Sequence, residues 1–278
     1  MIARSFFLAL FLPVLAPLHA GEPIPSSPAI SPTIDAIDWE SVTFFSSVKG
    51  ALGMAAEGFW RQFTYKSSLA TLTGGAGAVW LADANDRSWS ASMSGNDFFT
   101  SDIVSVLGDE TSIALGLTPL ITFYLSRWLE DEKMYRFSVE TFASLSIAWV
   151  ETMALSQIDY HIRPRDEGPD PATGFFDTAF RGSSSWPSGH LIKPFTLTFK
   201  MLDYYGWKAA IIPAGLTVLA AGNRIADGSH YPSDIVGAGV LSLAAHIATK
   251  RISDRKRNLH VSVAPLRNGL WVSASCAF

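Results

Sequence analysis

Apolar residues recur at the three-to-four spacing of an amphipathic helix over seven stretches, at about 38–62, 67–84, 110–129, 134–158, 189–204, 207–222 and 233–251. Clusters of Gly, Pro, Asn and Asp separate them. Pro119, Pro194 and Pro213 fall inside three of these stretches and are expected to kink or shorten the helices. Strand-like alternation is confined to the tail. Leu259 to Leu266 and Leu270 to Phe278 alternate small or polar with apolar residues, and Asn268-Gly269 between them suits a tight turn. The pattern predicts an all-α helical bundle with a short C-terminal β-hairpin, since one hairpin cannot close a barrel.

Composition refines this picture. Of the 278 residues, 48% are hydrophobic and 17% charged, an apolar excess that a large helical core or a membrane must absorb. Several predicted helices fall short of the roughly 20 residues that a span requires. Lys193, Lys200 and Glu151 also interrupt apolar stretches, where a charge facing lipid would cost about 2.5 to 3.5 kcal/mol. Both a compact membrane-associated protein and an integral one stay open, with the first favoured. The net charge of −4 gives no basic surface for nucleic acid. Oligomeric state is not readable from the chain.

At the N-terminus, Arg4, the 13 apolar residues Phe6 to Leu18 and Leu18-His19-Ala20 form an export signal pattern. The expected organisation is a signal peptide at 1–20, an extended Pro- and Ser-rich linker at 21–33, a helical domain at 34–257 and the hairpin tail at 258–278. The site would then lie outside the cytoplasm, in the periplasm or at a membrane. Cys276, the only cysteine, has no partner for an intramolecular disulfide.

Three short blocks carry the candidate chemistry: Arg163-Pro164, Pro187-Ser188-Gly189-His190, and Asn223-Arg224 followed by His230 and Asp234. A helix from His190 to about Asp203 rises roughly 20 Å and its successor returns about as far, so the second and third blocks meet at one end of the bundle. The helix at 134–158 ends just before Arg163 and brings the first block there too. Pro187 suits the first position of a helix, which would turn the amides of Ser188, Gly189 and His190 outward as an anion-binding turn. Pro232 places Asp234 in the first turn of the last helix, close to His230. A carboxylate partner fixes one ring nitrogen of a histidine as donor and leaves the other as nucleophile or base. The guanidinium groups of Arg163 and Arg224 offer paired donors that match a phosphate.

These residues resemble the type 2 phosphatidic acid phosphatase family, whose superfamily includes vanadium-dependent haloperoxidases and bacterial non-specific acid phosphatases. The family pattern is Lys-x6-Arg-Pro, then Pro-Ser-Gly-His, then Ser-Arg-x5-His-x3-Asp. The resemblance implies a helical bundle of the acid phosphatase and haloperoxidase type, and a metal-independent phosphatase acting on phosphate monoesters or diphosphates, lipid phosphates first among them. By it His230 would attack phosphorus to form a phosphohistidine, Asp234 would orient it, and His190 would protonate the leaving alcohol and then activate water. Arg163, Ser188, Gly189 and Arg224 would hold the phosphoryl oxygens, with no metal and no cofactor. Ser156 stands where the family has its Lys, and Asn223 replaces the family Ser. Lys193 and Arg165 are candidates for the missing charge. The alternatives are a weakened or inactive member serving as an envelope binding protein, and a vanadium haloperoxidase, which would need the same cationic cradle.

The remaining features are read as structural. His161, Asp166, Glu167 and Asp170 form a solvated acidic loop, His246 is a core residue, and the Gly-x-Ser-x-Gly elbow of serine hydrolases is absent. Phe175, Phe176 and Phe180 either cover an apolar substrate or fill the end of the bundle.

Overall fold

A computed structural model of the chain describes residues 37–158, 162–166, 184–266 and 269–276. The expected signal peptide, linker and domain start, the loop residues His161, Glu167 and Asp170, and the Phe175, Phe176 and Phe180 cluster lie outside the described residues. So does Asn268 of the expected turn.

Nine α-helices fold the described residues: α1 (Phe44–Arg61), α2 (Lys66–Asp83), α3 (Asp86–Met93), α4 (Asp102–Gly116), α5 (Thr118–Leu129), α6 (Glu132–Leu155), α7 (Gly189–Tyr205), α8 (Trp207–Ala226) and α9 (Pro232–Asn258). A 3-10 turn covers Pro164–Asp166, and two strands, β1 (Leu259–Leu266) and β2 (Gly269–Cys276), pair antiparallel with Leu259 opposite Cys276. The main body is all-helical, as the periodicity predicts. The stretch expected as one helix at 110–129 is two, because α4 stops at Gly116 and Pro119 lies in the first turn of α5, where its missing N–H costs nothing. Pro194 and Pro213 do sit inside helices. In each case a threonine four residues on donates to the proline carbonyl, Thr198 and Thr217 both at 2.7 Å, and the two hydroxyls meet across α7 and α8 at 3.3 Å.

Helix α9 is the axis of the bundle, packed by α1, α2, α3, α6 and α7. Its residues from Pro232 to Val240 are all buried. Small residues permit this crowding: a Cβ on Gly75 of α2 would lie 2.3 Å from Val240 Cγ1 of α9, so only glycine lets these two helices approach as they do. Lys200 and Glu140, both charged and both buried, face each other inside the bundle rather than facing lipid. Two helices, Trp207–Ala226 and Pro232–Arg255, are long and apolar enough to cross a membrane by length and composition, and 56% and 78% of their apolar windows are buried in the bundle.

Glu151 on α6 is 7% exposed and accepts a hydrogen bond from Gln62 Nε2. Burial pushes its pKa from 4.5 up to about 8. Between these values the unfolded chain ionises Glu151 and the folded chain does not, so this stability is full below pH 4.5 and is lost as pH rises through 8. Replacing it with Gln should remove that loss, so that from about pH 5 to 8 the variant gains on the wild type in denaturant unfolding by a few kcal/mol. Parallel stability curves for the two proteins would show that Glu151 is ionised in the fold.

Candidate functional site

Helix α7 begins at Gly189, with Ser188 as its N-cap residue. Pro187 therefore stands two residues before the helix instead of opening it, and follows Trp186 through a cis peptide bond. The Ser188 amide does not point outward either. It donates to the main-chain carbonyl of Asp234 at 3.1 Å, which binds the start of α7 to the start of α9. The Ser188 hydroxyl is buried and has no hydrogen-bond partner among the described residues, an unmet donor and acceptor at the mouth of the helix. Gly189, at the first helical position, has no carbonyl one turn back to receive its amide. A Cβ there would stand 3.7 Å from Thr152 Cγ2 of α6, so glycine keeps the backbone open beside Thr152.

The third block is held mainly through one carbonyl. The main-chain oxygen of Arg224, at the end of α8, accepts the Ser229 amide at 3.0 Å and the His230 amide at 2.9 Å. Asp227 adds to the turn, accepting the Ser229 amide at 2.8 Å and its hydroxyl at 2.9 Å. Pro232 then opens α9, as its sequence position predicts, and Asp234 falls in the first turn. Asp234 is fully buried. Its Oδ2 lies 3.3 Å from His230 Nδ1 and accepts the Tyr231 amide at 2.8 Å. From α3, Asp86 accepts both the amide and the hydroxyl of Ser233, capping the same helix end.

His190 and His230 face one another with ring centroids 6.4 Å apart at 61°. Burial of its ring lowers the pKa of His190, and the charges of His230, Lys193 and Arg163 lower it further while Asp227 opposes them. Arg163 and Lys193 thus both act electrostatically on the His190 ring. The Lys193 stem passes over Gly116, where a Cβ would meet its Cδ at 3.4 Å. Arg224 is largely buried, with Nη1 3.7 Å from Asp227 Oδ2. Burial lowers its pKa against the pull of Asp227, yet a guanidinium stays charged at any working pH.

The residues named from the sequence are thus brought to one end of the bundle, with these differences. The Ser188 amide is spent on Asp234. Asn223 is buried and donates to the Phe99 carbonyl at 2.9 Å, away from the histidines. Arg165 donates to Ser229 Oγ at 3.2 Å and so leans on the back of the His230 turn. Ser156 caps α6, its hydroxyl given to the Met153 carbonyl at 3.0 Å. Thr152, Asp86, Asp227 and Ser233 had not been singled out. The Asp227-Gly228-Ser229 run is a turn signal that could have revealed Asp227, whereas the contact of Asp86 with Ser233 spans 147 residues and leaves no local trace.

Among the described residues these helix ends gather two histidines, a buried carboxylate and two arginines in a helical body. Residues 152–258 match the model of the PAP2 superfamily. No curated protein and no solved structure matches the chain. The match supports a phosphatase-type activity in general.

Proposed function

We propose that the protein is a metal-independent phosphatase that hydrolyses phosphate monoesters or diphosphates through a phosphohistidine at His230. The observation that carries this reading is the fixed pair of rings: His230 anchored by its Nδ1 to buried Asp234, with His190 6.4 Å away. As acceptor, Asp234 keeps the proton on Nδ1 and leaves the Nε2 lone pair available. That lone pair attacks phosphorus as the ester P–O bond breaks, and the leaving oxygen takes a proton from His190. A water then gives its proton to His190 and attacks the phosphohistidine, the P–N bond breaks, and phosphate leaves with His230 restored. Arg163, Arg224, the Ser188 hydroxyl and the Gly189 amide hold the phosphoryl oxygens as charge moves.

An apolar substrate is favoured by a cavity of about 260 Å³ lined by Phe44, Val48, Gly116, Leu120, Phe123 and Phe142. Gly116 also borders the Lys193 stem, and an acyl chain extending from a phosphorylated headgroup fits the cavity's chemistry. Helix α5 exposes Leu120, Ile121, Tyr124, Leu125 and Trp128, and α8 exposes Ile211 and Ile212, which supports association with a membrane. We place the site on the periplasmic side or elsewhere outside the cytoplasm, in line with the export signal. Phosphate release from soluble and lipid monoesters, together with an acid-labile, base-stable phosphoenzyme, tests the proposal. A protein that yields neither is the inactive member for which Ser156 argues.

Lys193 is proposed to stand in for the missing family Lys. Lys193→Gln should lower kcat/KM about tenfold, as expected for one charge-assisted contact of about 1.4 kcal/mol. Because Lys193 lowers the pKa of His190, the variant should also shift the alkaline limb of the kcat/KM profile upward. A limb that does not move would return Lys193 to an ordinary surface lysine.

A further inference from the structure

A second cavity, of about 300 Å³, lies between α3, the 3-10 turn and the Asp227–Ser229 turn. Its walls include Arg87, Ser90, Ser94, Arg165, Gly228 and Tyr231, and none of the histidines proposed for catalysis lines it. Arg165 is built into this wall. Its amide donates to the Gly228 carbonyl at 3.1 Å and its Nη1 to Ser229 Oγ at 3.2 Å. Gly228, at φ 70°, passes so close that a Cβ would lie 3.2 Å from Arg165 Cβ. Asp227, the acidic group of the lining, is engaged by the Ser229 amide and hydroxyl and lies 3.7 Å from Arg224 Nη1, which offsets its charge. Asp166 is a loose partner of Arg165, 3.9 Å from Nε with both side chains about half exposed.

Ser90 supplies the second, independent sign of a ligand. It is 8% exposed, lines the cavity, and its buried hydroxyl has no hydrogen-bond partner among the described residues. Two guanidinium groups on the wall of a small polar cavity, with the unmet Ser90 hydroxyl just behind it, form a donor set for a tetrahedral oxyanion. We propose that this cavity is an accessory phosphate site, separate from the histidine site and joined to it through Arg165, Ser229, Asp227 and Arg224. Its ligand is a phosphate-type anion, either the distal phosphoryl group of a substrate held at His230 or a separate phosphate ion. The assignment stands on the cavity alone and does not require that the protein hydrolyse anything.

Calorimetric titration of inorganic phosphate into the full chain tests it. Arg87 is exposed and Ser90→Ala is a minimal change, so both variants should keep the fold, which a thermal melt checks. Arg87→Gln and Ser90→Ala should each abolish one class of phosphate binding or weaken it at least tenfold, and Arg163→Gln should leave that class intact. If both variants bind phosphate as the wild type does, the proposal fails. Should the phosphatase reading fail instead, the Arg87-dependent class would be the one that remains. Inorganic diphosphate separates the two sources. A single diphosphate weakened by both Arg87→Gln and Arg163→Gln identifies the distal phosphoryl group, and binding that ignores one of them identifies a separate ion.

Discussion

His230→Ala should abolish phosphate release, with kcat falling on the order of 10³-fold or more, because the variant loses the atom that bonds to phosphorus and not merely a contact to it. The phosphoenzyme should vanish as well. The stability cost is small by comparison. Asp234 keeps the Tyr231 amide at 2.8 Å, and the turn carrying residue 230 is held by the Arg224 carbonyl through main-chain bonds that the substitution leaves alone. A folded, inactive variant is therefore expected, with a thermal melt close to that of the wild type. Asp234→Asn makes a graded companion: Asn can present its NH₂ to Nδ1 and favour the wrong tautomer, so the rate drops while the ring stays in place. The proposed mechanism is untenable if wild type and His230→Ala release phosphate equally fast.

Much of this was legible in the chain because helix ends carry local signals. The apolar spacing from 134 to 158 and from 189 to 222 gives α6, α7 and α8 to within about four residues at each end, and Pro232 followed by Asp234 marks the start of α9. Connecting those helices back and forth is enough to bring Arg163, His190, Arg224 and His230 to one end. Contacts without a local signal were not legible. Helix α3 is short and polar, with Asp86 buried because it caps a helix far along the chain. The Ser188 amide looked available because an N-terminal amide has no partner within its own helix, but its partner, the Asp234 carbonyl, belongs to another. In each case the deciding group is distant in sequence, and no periodicity reports it.

Lys200 is the clearest such case, and it carries the largest expected effect on stability. Read along the chain it is a charge in an apolar stretch; in the fold it is fully buried, with Nζ 3.0 Å from Glu140 Oε2 and 3.0 Å from Thr249 Oγ1. Thr249 in turn lies 2.7 Å from Ser144 Oγ, so α6, α7 and α9 share one polar knot. Burial by itself would raise the pKa of Glu140, but the Lys200 ammonium and hydrogen bonds from Ser253 and Tyr204 outweigh it and hold the carboxyl below 4.5. Lys200→Met should destabilise the protein by about 3–5 kcal/mol, most of it from an uncompensated carboxylate. Adding Glu140→Leu should recover much of that loss, since two apolar side chains replace a pair whose desolvation nearly cancels its attraction. The sign of the pH dependence follows from the lowered pKa. The stability Glu140 contributes is present above pH 4.5 and is lost as pH falls through its folded value, so the deficit of Lys200→Met should shrink toward acid. Denaturant unfolding of the single and double variants at neutral and acid pH measures both effects, and a double variant no more stable than Lys200→Met would mean that the cost is lost packing rather than a stranded charge.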